Sequence, residues 1–135
     1  MTSRITKNQI LAILNEFEFK NARQEPIESI EDVAINHVLS KDVKLGLAML
    51  LSTKHEGFKE ELASLMEEKN RQYGYASLNP KSIVNTLKIT AKDSIAMRID
   101  DKIARFNNTP KDKDTEDTIM DIIGYLVLYI HVMDV

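Results

Sequence analysis

From Ile122 to Met133 the chain reads Ile-Ile-Gly-Tyr-Leu-Val-Leu-Tyr-Ile-His-Val-Met, a run without formal charge. A helix apolar on every side has to be enclosed by other elements. The run is too short to span a membrane, which takes about 20 apolar residues. It therefore predicts a helical bundle in which the last helix, roughly Thr115 to Val135, lies at the centre.

The first turns of that helix carry acids. Asp117 and Asp121 are four apart, so their carboxylates project from one face. Acids at a helix start are favoured by the macrodipole and by free N–H groups, which accounts for Asp114, Glu116 and Asp117. Asp121 lies beyond the first turn, at the edge of the apolar run, where an ionised acid needs a cation, a metal or several donors. The pair is a candidate for holding a divalent metal.

The rest of the chain has the same helical period. Ile5–Phe19 predicts a first helix with Ile10, Ile13, Leu14 and Phe17 on its inner stripe. Asn21–Pro26 is a connection, and Ser29-Ile-Glu-Asp32 resembles a capping box that opens a short second helix. Lys41–Lys54 is strongly apolar and helical, Gly57 marks a break, and Phe58–Tyr73 forms a further helix with Gly74 as its C-cap. Asn79-Pro80 predicts an N-cap followed by proline, opening a helix that runs to about Asn107. A charged loop, Asn108–Asp114, precedes the last helix. The fold class is all-α: a single domain over residues 1–135, built as a bundle of five to seven helices.

Composition narrows the function classes. At 135 residues the chain can bury a core without staples. It contains no cysteine, so disulfides, thiolate metal sites and cysteine nucleophiles are excluded. Eighteen basic against 21 acidic residues give a net charge of −3, which argues against nucleic acid as a partner. The N-terminal residues lack the apolar stretch of a signal peptide, and the expectation is a soluble, cytoplasmic protein with no membrane partner. The three histidines, His37, His55 and His131, are isolated and read as structural. Phosphate-binding glycine loops and nucleophile elbows are missing too, which removes support for kinase, dehydrogenase and serine-hydrolase chemistry.

Two further clusters stand out. Arg98, Asp101, Lys102 and Arg105 fall at i, i+3, i+4 and i+7, one continuous helix face. Such a stripe is either a solvated, salt-bridged surface or a phosphate-contacting wall of a cleft, and periodicity does not choose between them. In Glu67-Glu68-Lys69-Asn70-Arg71-Gln72-Tyr73-Gly74, Lys69 and Asn70 could meet a phosphate or a base edge while Tyr73 stacks on a ring.

In order, Lys69-Asn-x-x-Tyr73-Gly74, then Arg98-Ile-Asp-Asp-Lys102-Ile-Ala-Arg105, then Glu116-Asp117-Thr118-x-x-Asp121-x-x-x-Tyr125 resembles the nucleotide modification associated domain, type one. That group, common in phage and bacterial genomes, is related to the MazG-like all-α nucleoside triphosphate pyrophosphohydrolases. The resemblance covers roughly Glu60 to His131. It implies a nucleotide-binding core over residues 58–135, an oligomeric bundle, and Mg²⁺ held by acids of two helices. The implied reaction releases pyrophosphate from a (deoxy)nucleoside triphosphate, in nucleotide-pool control or DNA modification. The implied metal residues are Asp117 and Asp121 with Glu68 or Asp101; Lys69, Asn70, Tyr73, Arg98, Lys102, Arg105 and Tyr125 would contact the nucleotide. The chain departs from the pattern at the earlier helix, where E-x-x-E is expected but Ser64 and Leu65 stand between Glu61 and Glu68. The alternative is a protein that binds a nucleotide without hydrolysing it, as a sensor or a phage sequestering protein. Residues 1–57 lie outside the resemblance and are expected to complete the core or form a subunit interface.

Overall fold

The computed structural model of the chain describes residues 3–17, 30–80, 87–109 and 113–133, the first four of the last stretch by backbone alone. Six helices lie among them: α1 (Lys7–Glu16), α2 (Ile30–Leu39), α3 (Val43–Ser52), α4 (Phe58–Gln72), α5 (Ala91–Asn108) and α6 (Lys113–Met133). No strand occurs among the described residues, so the all-α reading holds. The predicted connection at 21–26 and Ser29 of the expected capping box fall outside the described residues.

α1 begins at Lys7 rather than Ile5, because Thr6 caps it. The Thr6 hydroxyl accepts from the Gln9 N–H at 3.2 Å, and the Gln9 side chain accepts from the Thr6 N–H at 2.8 Å, closing a capping box. Ile5 precedes the cap and is fully buried, as is Ile10 in the first turns. These are the two positions of a hydrophobic staple, which fixes the angle at which the chain enters the helix.

α2 and α3 form a close hairpin. Their approach depends on Gly46, where an added Cβ would lie 2.6 Å from Val38 Cγ2 and 2.8 Å from the Ala34 carbonyl oxygen. α4 starts at Gly57, held at φ 90°, and ends in a Schellman motif. There the Tyr75 N–H donates to the Asn70 carbonyl at 2.7 Å and the Gly74 N–H to the Arg71 carbonyl at 3.1 Å, with Gly74 at φ 61°.

The uninterrupted helix expected from Pro80 to Asn107 does not form. Leu87 to Thr90 are non-helical, Lys88 adopts φ 60°, and α5 starts afresh where the Thr90 hydroxyl accepts from the Asp93 N–H at 3.1 Å. A threonine that can cap competes with helix continuation, and the β-branched Ile89 and Thr90 weaken it further. Residues 81–86, where that helix was to begin, lie outside the described residues.

α6 is the hub. It packs against α1, α3, α4 and α5, while α2 rests on α3 and α1 also packs on α4. Ile119, Ile122, Ile123, Leu126, Val127, Leu128 and Ile130 are all buried, while Gly124, Tyr125, Tyr129 and His131 to Met133 are half-buried, so most of the apolar run lies against other elements. The helices before residue 58 complete this core: Ile10, Leu14, Leu47 and Leu50 are fully buried in it. No helix among the described residues is long and apolar enough to cross a membrane.

Candidate functional site

α4 and α6 touch only sparingly, and a cleft of about 500 Å³ opens between them, with the turn after α4 and one residue of α5 at its margin. α4 contributes Leu62, Leu65, Met66, Lys69 and Asn70, which share one helix face. α6 contributes Met120, Asp121, Gly124, Tyr125 and Leu128, again a single stripe. Leu62, Leu65, Met66, Met120 and Leu128 supply an apolar lining, and Lys69, Asn70, Arg98 and Asp121 add polar groups to it. That is the usual composition of a small-molecule site.

Six of the residues singled out in the sequence meet here: Lys69, Asn70, Tyr73, Arg98, Asp121 and Tyr125. Asn70 is placed by the Schellman motif that fixes the end of α4. Tyr73, the next residue of that face, is 72% exposed at the rim. Arg98 reaches in from α5, its Cζ 6.0 Å from the centroid of the Tyr125 ring, a cation–π contact that holds the guanidinium beside the cleft.

α5 and α6 run side by side, and three α5 cations meet partners on α6 in register. Lys92 lies over Tyr129 at 5.8 Å, Arg98 over Tyr125, and Lys102 Nζ stands 3.1 Å from Asp121 Oδ2. Asp121, at the edge of the apolar run, thus has the cation that its position demands, and that cation is a lysine. Among the described residues every buried side-chain nitrogen and oxygen has a hydrogen-bond partner.

The basic stripe does not enter the cleft as a unit, which corrects the expectation of a continuous phosphate wall. Only Arg98 lines the cleft; Lys102 is turned to Asp121, and Asp101 and Arg105 are exposed on α5 away from it. The reason is geometric: a helix packed on α6 can turn only one edge of its polar face towards a cleft that α6 shares with α4.

The acids proposed for Mg²⁺ are likewise spread out. Asp121 lines the cleft, whereas Glu68 on α4, Asp101 on α5 and Asp117 on α6 are exposed and do not. Among the described residues no three acids or histidines come close enough together to hold a metal ion. The side chains of Asp114 and Glu116 lie outside the described residues.

Comparison with protein-family models, with curated proteins and with solved structures gives no match.

Several cleft residues carry no sequence signal of their own. Leu62, Leu65 and Met66 look like ordinary core positions of an amphipathic helix, and Ala76 and Ser77 like an ordinary turn. The residues that Asn79 was expected to cap, 81–86, lie outside the described residues; its side-chain amide clasps the N-terminal segment. Asn79 Oδ1 accepts from the Ser3 N–H at 2.7 Å, and Nδ2 donates to the Ser3 carbonyl at 2.7 Å and to the Tyr75 carbonyl at 2.9 Å. This clasp holds the turn that carries Tyr73, Ala76 and Ser77.

Proposed function

We propose that the cleft between α4 and α6 binds a nucleotide. The observation that carries this reading is the juxtaposition of two cations from different helices, Lys69 and Arg98, with an apolar floor and an exposed tyrosine ring. Phosphate oxygens suit the cations, a base suits the apolar floor and the Tyr73 ring, and Asn70 offers both a donor and an acceptor for a base edge. Asp121, the one carboxylate on the cleft among the described residues, is neutralised by Lys102, so the site keeps a net positive character. The sequence resemblance to nucleotide modification associated domains points the same way.

The reading is tested by equilibrium dialysis against nucleoside mono-, di- and triphosphates. Arg98→Ala and Lys69→Ala are each expected to lower affinity at least about tenfold, since a charge-assisted contact contributes roughly 1.5–3 kcal/mol. Arg105→Ala, off the cleft, should leave affinity unchanged. Equal affinities in all three variants would return Lys69 and Arg98 to the solvent.

A second reading is a Mg²⁺-dependent pyrophosphohydrolase acting on (deoxy)nucleoside triphosphates. It is favoured by Asp117 and Asp121, one turn apart on α6 with Asp121 on the cleft. Pyrophosphate release that stops on adding a chelator and is lost in Asp121→Asn would establish it. Nucleotide binding that is indifferent to chelator and shows no turnover would establish binding alone.

A further inference from the structure

Three of the four glycines are accounted for by the fold. Gly57 and Gly74 have positive φ, and Gly46 lies where two helices approach too closely for a Cβ. Gly124 differs from all of them. It sits in the interior of α6 without a positive φ, where glycine is the worst residue after proline for helix stability. A Cβ built there meets nothing among the described residues nearer than Met66 Sδ at 3.8 Å, an ordinary contact. Alanine would therefore fit and would strengthen the helix. The bare position faces the cleft, between Asp121 and Leu128 on the same stripe.

We infer that Gly124 is kept bare by the ligand: it is the point at which a flat ring lies directly against the α6 backbone. This rests on the cleft being a binding site and names the part of the ligand that the floor receives. Without a side chain at 124, a ring can approach the helix to van der Waals distance, with the Met66 sulfur at its edge, a favourable arrangement for thioether and aromatic. Tyr125, the next residue, is tied to Arg98, so the ring surface and the cation that meets the anionic group are set by neighbouring positions of one helix. The ligand class is a planar ring carrying an anionic group, and a ligand with the anion alone would leave the floor empty.

The experiment uses wild type, Gly124→Ala and Gly124→Leu, with AMP and naphthyl phosphate as probes. In the absence of probe, Gly124→Ala is expected to raise Tm by about 4 °C through helix propensity. Both probes are expected to bind wild type, at least tenfold more weakly to Gly124→Ala, and not measurably to Gly124→Leu. A protein that is more stable and binds less tightly is an outcome that a purely structural glycine does not produce. A fall in Tm for Gly124→Ala would show that the fold needs the glycine and would overturn the inference. AMP affinity unchanged in both variants would overturn it while leaving the nucleotide reading intact. Gly124-dependent binding of naphthyl phosphate, with none of AMP, would uphold the inference and sink the nucleotide reading. Failure of both probes to bind wild type would remove both.

Discussion

Lys102 Nζ lies 3.1 Å from Asp121 Oδ2, linking the basic face of α5 to the single carboxylate that lines the cleft among the described residues. Their side chains are 28% and 38% exposed, so solvent screens the pair. Lys102→Met is accordingly expected to cost no more than about 1 kcal/mol of stability. It should weaken nucleotide binding, because Asp121 then presents an uncompensated charge to the phosphate. Adding Asp121→Asn to Lys102→Met should restore affinity. Urea denaturation and equilibrium dialysis on the two single variants and the double variant check this, and a double variant no better than Lys102→Met would rule out the charge argument.

Ile123 is fully buried in the middle of α6. Ile123→Ala should destabilise the chain by about 2–5 kcal/mol, from lost burial and the cavity left behind. Met97→Ala, on a side chain 49% exposed, should change stability by no more than about 0.5 kcal/mol. Thermal unfolding of the two variants side by side measures the contrast.

Gly46→Ala is expected to destabilise by about 1–3 kcal/mol, the usual range for overpacking. The added Cβ meets Val38 Cγ2, which can turn aside, and the Ala34 carbonyl oxygen, which cannot. Combining it with Val38→Ala should therefore recover only part of the loss. Full recovery in urea titrations would show that the backbone contact is soft.

Asn79→Ala removes three hydrogen bonds, two to Ser3 and one to Tyr75. The expected cost is about 1–3 kcal/mol. It should be local: amide protons of residues 73–79 should exchange faster while those of α6 keep their protection. Uniform acceleration along the chain would mean that the clasp supports the whole fold rather than the rim.

The sequence showed some of this plainly and hid the rest. The charge-free run from Ile122 placed α6 at the centre, because an apolar helix has one solution in water. Gly57 and Gly74 marked both ends of α4 through backbone conformations that other residues rarely adopt. The interruption before α5 was hidden because Leu87 to Thr90 continue a helical spacing of apolar residues, while the deciding factor is the Thr90 hydroxyl. In the site, Lys69, Asn70 and Tyr73 were legible as a group because they lie on one face of one helix. The fate of the Arg98 stripe was not. Periodicity fixes which residues share a face but not which edge of that face a neighbouring helix covers, and so Arg98 and Arg105 parted company.

Among the described helices α6 comes last in chain order, yet it is the one that α1, α3, α4 and α5 all pack against. During synthesis the earlier helices therefore emerge before the partner that covers them. The pairs α2–α3 and α1–α4 can pack as they emerge, but the faces that meet α6 stay open until residues up to about Ile130 have been released. The nascent chain thus passes through a stretch of translation in which two helix pairs can form while the helix that joins them is still missing.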